Sequence, residues 1–292
     1  MIDNYYILHI NEKEKEIFKS NYEKAGLNFK YQFFEGINGN YFKNYIRYFI
    51  KKKKSELKEN NIFKKINQIT NGKLYIRNEK QLGHIRSFQK IIKNAIKNNY
   101  DKICILESDV YFSIDFNERM KEYEKFKDKK LFYLGSNDRN IRRTTSMFKF
   151  DEEKTLQSIK EKNEDLTEEE WNEILIHKRK NFYSKKKECY NDLIKKNDEL
   201  LLNNIYQSDC PYGTFAMIID KSIFNMILDV LSIEIFPTDV LFFYIQHQIE
   251  DDWCIAFPNI VIVDVTNSLI LKARHQEKFA KSRFWKLKNY HI

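Results

Sequence analysis

Two carboxylates one residue apart, Glu107 and Asp109, follow the apolar run Lys102 to Leu106 (KICIL). A short apolar run of this kind reads as a buried strand. Residues i and i+2 at a strand end point to the same side, and two like charges placed there repel unless a cation lies between them. A hard divalent ion, Mn²⁺ or Mg²⁺, suits such a pair, held by one or two carboxylates together with substrate phosphates. The carboxyl ends of strands in an open α/β sheet are also where ligands bind. Acid-x-acid triplets are common, and the plain alternative is a solvated strand end. A third acid, Asp239, follows Pro237 at the start of a helix expected over Thr238 to Gln246. The helix dipole there is expected to lower its pKa and keep it ionised, while a simple capping role is the structural alternative. Asp251 and Asp252 are a rival pair that reads as surface acid. Gly213 either lets the backbone pass close to a ligand or closes a tight turn.

Positioning these groups requires a scaffold. Tyr5 to Ile10 reads as a buried strand, Asn11 to Ala25 as an amphipathic helix stopped by Gly26, and Phe29 to Phe34 as a second strand. A β-α-β opening favours a parallel sheet with right-handed crossovers. Residues 41 to 72 are Lys-rich, include Lys51 to Lys54, and read as exposed helix and loop. Glu79 to Asn98 is a strongly amphipathic helix with Leu82, Ile85, Phe88, Ile91, Ile92, Ala95 and Ile96 on one side. A helix at Phe116 to Phe126 and a strand at Leu131 to Leu134 come next. Residues 140 to 205 are highly charged and read as a helical insertion. Thr214 to Ile219 resumes as a strand, Lys221 to Leu231 as a helix, and Trp253 to Val265 has strand character. The expected organisation is one α/β domain over 1–272 and a basic, aromatic tail over 273–292.

Composition narrows the classes. The chain has 292 residues, 42% hydrophobic and 15% aromatic, enough for a large core. Its four cysteines form no C-x-x-C pair, which argues against a zinc ribbon or a thioredoxin-type centre and for a reducing compartment. The first residues lack a basic n-region, and no apolar stretch approaches ~20 residues. A soluble, cytoplasmic protein is therefore expected, of open oligomeric state. A net charge of +9 keeps nucleic-acid binding as the competing class, without a recognised reader motif.

The order of short motifs resembles glycosyltransferase family 25, which includes lipooligosaccharide and collagen galactosyltransferases. The resemblance is carried by Ile10-Asn11, Glu35-Gly36-Ile37-Asn38-Gly39, Leu82 to Phe88, Ile105-Leu106-Glu107-Ser108-Asp109 and Tyr133-Leu134-Gly135. Gly213 to Ala216, Pro237-Thr238-Asp239 and the stretch Pro258 to Ser268 continue it. It implies a GT-A, Rossmann-like fold with a mostly parallel sheet. It also implies metal-assisted, inverting transfer of a hexose from a nucleotide-sugar such as a UDP-hexose to a glycan or protein hydroxyl. On that resemblance Asn11, Ser87, Glu107, Asp109 and Gly213 face the donor, and Glu107, Asp109 and His275 hold the metal. Asp239 is the general base. Ser108 stands where the family usually has Asp and Phe88 where it has His, so a catalytically inactive relative is a further alternative. His9 is expected to be buried beside the nucleotide, and His84, at a family Cys position, to pack.

Overall fold

The computed structural model describes residues 2–42, 45–70, 72, 74–122, 126–137, 152–162, 166–178, 204–206, 213–266, 275–281, 283 and 285–292. The chain divides into two compact units. The larger comprises Met1–Asp138, Leu202–Gln207 and Pro211–Ile292, the smaller Arg139–Leu201 and Ser208–Cys210.

The larger unit is built on a seven-stranded sheet. Its strands are β1 (Asn4–His9), β2 (Tyr31–Glu35), β3 (Lys102–Glu107), β5 (Leu131–Tyr133), β6 (Asn204–Tyr206), β7 (Ala216–Asp220) and β8 (Trp253–Phe257). Their order is β2-β1-β3-β7-β5-β8-β6. β1 pairs in parallel with β2 and β3, and β5 with β8, while β7 and β6 run antiparallel to their neighbours. Five of the seven strands thus point the same way. This is the mostly parallel sheet the sequence implies; its reversed strand β7 starts at Ala216 beside Leu106, so the segment Thr214–Phe215 just before it lies at the edge where β3 finishes. A separate ribbon pairs β4 (Val110–Phe112) with β9 (Val261–Val263).

Both faces of the sheet are buried, so its strands alternate between two cores. Tyr6, Ile103, Ile105, Met217 and Ile219 enter one apolar cluster; Ile7, Cys104, Leu106, Ala216 and Ile218 enter the other. The first is covered by α2 (Ile46–Glu56), α3 (Asn61–Ile69), α4 (Glu79–Lys97), α8 (Phe224–Leu231) and α9 (Thr238–Ile249). The second lies against α1 (Glu12–Lys24), α5 (Phe116–Glu122) and α10 (Gln276–Lys281). The region read as exposed helix and loop is therefore only half so: Phe49, Phe63 and Ile66 are core residues. The expected tail is also no free tail, because Phe279, Trp285 and Tyr290 are buried in the second core. The Tyr290 hydroxyl donates to Asn259 O at 2.7 Å.

In the smaller unit the described residues form two helices, α6 (Glu152–Lys162) and α7 (168–178), with Lys160 lying over the Trp171 ring. Of the rest of the charged stretch read as an insertion over 140–205, residues 204 and 205 belong instead to β6 of the sheet, and the others lie outside the described residues.

Candidate active site

The site begins with α4. Asn78 caps its N-terminus, accepting from Gln81 N at 3.0 Å. Gly83 and Gly39 then allow backbone to lie on backbone. A Cβ at Gly83 would come within 2.8 Å of Gly39 N, and one at Gly39 within 2.5 Å of Lys80 Cα. This close approach fixes the turn after β2 against the first turns of α4. Ser87 completes the clamp: its hydroxyl donates to Gly83 O at 2.7 Å and accepts from Ile37 N at 2.8 Å. Ser87 is fully buried. The expectation that it faces a sugar or diphosphate is corrected on that ground, since its hydroxyl is committed to the scaffold.

The same helix places His84 at the sheet edge. One ring nitrogen, Nδ1, lies 2.8 Å from the Thr238 hydroxyl, and the other, Nε2, lies 3.1 Å from Glu107 Oε1. Phe88, one turn along, backs the imidazole with ring centroids 4.9 Å apart. A carboxylate only accepts, so opposite the Glu107 carboxylate Nε2 is the donor of this pair. His84 is thus a connecting member of the site and not a packing residue.

Asp239 joins the group from the first turn of α9, for which Pro237 is the N-cap residue. The Thr214 hydroxyl lies 3.5 Å from Asp239 Oδ1, and the Gly213 backbone N–H also bonds to this carboxylate. Gly213 has φ +97°, a conformation that favours glycine. Burial pushes the Asp239 carboxyl up to about 6, with Glu107 adding to the rise, against the lowering pull of His84 and these hydrogen bonds. The expected dipole-lowered pKa is therefore overturned: loss of hydration outweighs the helix terminus. An acid at this value is ionised at neutral pH yet basic enough to take a proton.

On the other side of Glu107 stands a set of acids. Asp109 is held well above the usual carboxylate range by burial first, then by Glu107, Asp264 and Glu14. The β4–β9 ribbon brings Asp264 there, its N–H donating to Asp109 O at 2.7 Å. Glu14 is also raised, mainly by burial; it accepts from Ile10 N at 2.7 Å and from the Ser108 hydroxyl at 3.2 Å. Its second oxygen, Oε1, is buried with no hydrogen-bond partner among the described residues. Crowded, poorly compensated carboxylate oxygens are the donor chemistry that Mn²⁺ or Mg²⁺ prefers. No three His, Cys, Asp or Glu side chains among the described residues converge as a complete metal cage. At most two of these carboxylates could therefore serve one such ion, the rest of its shell being left to a ligand.

The remaining expected residues lie elsewhere. Asn11 is exposed and caps α1, accepting from Glu14 N at 3.0 Å. His275 is exposed just before α10 and does not join Glu107 and Asp109. His9 is 4% exposed at the end of β1, its pKa lowered by burial and by Lys15, and its Nδ1 has no partner among the described residues. Asp251 and Asp252 precede β8, at the opposite end of α9 from Asp239, and Asp252 pairs with Lys130 at 2.6 Å. The sequence reading missed the contributions of His84, Thr238, Glu14 and Asp264. For His84 a signal existed: a polar ring one turn before Phe88 on an otherwise apolar helix side.

A family model described as "Glycosyltransferase family 25 (LPS biosynthesis protein)" matches residues 2–241. The chain belongs to glycosyltransferase family 25. The match runs from β1 to the first turn of α9, so it spans every group of the site except Asp264. Comparison with curated proteins gives no match. Among the described residues of this glycosyltransferase, no helix is long and apolar enough to cross a membrane.

Proposed function

We propose that this family 25 glycosyltransferase moves a hexose from a nucleoside-diphosphate sugar, such as a UDP-hexose, to a hydroxyl of a glycan acceptor, with inversion. The observation that carries this reading is one histidine, His84, joining the donor-side acid Glu107 to the α9 terminus that bears Asp239.

Asp239 is the general base. Its carboxylate takes the proton from the acceptor hydroxyl as that oxygen bonds to the anomeric carbon. The bond from that carbon to the diphosphate oxygen breaks on the opposite face, and the electron pair leaves with the nucleoside diphosphate. Thr214 and the Gly213 N–H aim the carboxylate, and His84 offsets the repulsion between Asp239 and Glu107. Asp109 and the free oxygen of Glu107 would hold a Mn²⁺ or Mg²⁺ ion, whose chemistry is to neutralise charge on the departing diphosphate.

A panel of nucleotide-sugars incubated with Mn²⁺ and with a chelator tests the reading. One donor should release its nucleoside diphosphate, faster with the metal. A protein that turns over no donor, and whose melting is shifted by none, would refute it.

A further inference from the structure

The short turn Gly39–Phe42 and the outer face of α2 expose aromatic and basic side chains. Tyr41 is 84% exposed, Tyr48 60% and Tyr45 43%. Tyr45, the N-cap residue of α2, and Tyr48 within it lie three residues apart, with ring centroids separated by 5.5 Å. One turn further, Lys51 and Lys52 continue the same face, with Arg47 at its margin, all three exposed.

The lysine run is split by function. Lys53 reaches Glu234 at 3.5 Å, and Lys54 lies over the Tyr75 ring at 3.4 Å, so both serve the fold. Lys51 and Lys52 face outward, and among the described residues only Lys52 pairs with an acid, Glu56 at 3.8 Å. Beneath the helix, Phe49 is buried, and Arg86 stacks on Phe42 and Phe49 while bonding Glu234 at 2.8 Å. The face is therefore pinned to α4.

We propose that this face docks on an anionic lipid bilayer. Tyrosine rings with an apolar body and a polar tip sit at the headgroup level of a membrane. A helix with such rings beside lysines lies in the interface plane, and each basic residue adds attraction to anionic lipid. Charge complementarity thus selects an anionic surface over a neutral one. Tyr45 and Tyr48 are tilted by 51° to each other, so they offer no pair of parallel faces on which successive nucleic-acid bases could stack.

Sedimentation of the full chain with phosphatidylcholine vesicles, with and without phosphatidylglycerol, tests this. Binding should require the anionic lipid. The pair Lys51→Glu and Lys52→Glu should weaken it at least about tenfold. Tyr41→Ser with Tyr48→Ser should also weaken it, without changing the melting temperature or turnover of a soluble acceptor. Absence of vesicle binding, binding equal to neutral vesicles, or binding unaffected by either pair would overturn the proposal. So would loss of binding to a single-stranded RNA in these variants with no vesicle binding by the parent chain.

Discussion

His84 Nε2 lies 3.1 Å from Glu107 Oε1 while its Nδ1 lies 2.8 Å from the Thr238 hydroxyl, so one imidazole links the end of β3 to the start of α9. His84 also pulls the Asp239 pKa down. Replacing it with Ala removes that attraction. The acid limb of the pH–rate profile should then move to higher pH, because Asp239 holds its proton longer. His84→Gln should restore the hydrogen bonding in part but leave the limb shifted. An unmoved limb in both variants would confine His84 to structure.

The Asp239 value of about 6 makes a second statement about pH. Its folded pKa lies above the ordinary 3.8, so the folded chain binds this proton more readily than the unfolded chain does. The group's contribution to stability is therefore full below about pH 4, and it is lost as pH rises through about 6. Asp239→Asn removes that penalty. The variant should melt higher than the parent at pH 8, and the gap should close near pH 4. A lower melting temperature at pH 8 would show that the ionised carboxylate is stabilising where it sits.

Ser87 gives a contrasting expectation. Its hydroxyl is buried and satisfies Ile37 N–H and Gly83 O. Ser87→Ala leaves a buried donor unpaired and should cost about 1–3 kcal/mol of stability, read as a lower denaturant midpoint. The donor KM should not change. A raised KM with unaltered stability would return Ser87 to the ligand side.

Asp109 concerns the cation. Its carboxyl is held well above the usual carboxylate range by burial and by Glu107, so it takes up a proton at a higher pH than an ordinary aspartate does. Mn²⁺-dependent affinity for a nucleoside diphosphate should fall as pH is lowered, and at a higher pH than protonation of an ordinary carboxylate would cause. Asp109→Asn should weaken it at least about tenfold at neutral pH. Calorimetric titration with and without Mn²⁺ measures both. Equal affinity in variant and parent would remove Asp109 from the cation site.

The frame of the site was legible because its signals are local. KICIL reads as a strand whichever sheet it joins, and the apolar side of Glu79–Lys97 reads as helix. The triplet Glu107-Ser108-Asp109 therefore falls at a strand end in both sequence and structure. What was not legible depends on contacts between distant segments. The reversal of β7, the burial of Trp285 and the approach of Asp264 to Asp109 each join positions far apart in the chain. Asp239 shows the consequence for chemistry. A helix start is visible in Pro237-Thr238-Asp239, but the burial that raises its pKa is not. Ser87 and Asn11 were misplaced for a related reason: a polar residue near a ligand edge looks the same whether it faces ligand or caps backbone.

The central claim, that Asp239 removes the acceptor proton, is tested most directly by measuring sugar transfer by Asp239→Asn at saturating donor. Asn keeps the size and the hydrogen-bonding reach of the side chain but cannot take the proton. Transfer should fall by ~10²–10⁴-fold, with donor affinity almost unchanged, because the base contacts only the acceptor. Transfer close to that of the parent chain, with the same donor affinity, would contradict the account and leave Asp239 as a residue of the α9 terminus alone.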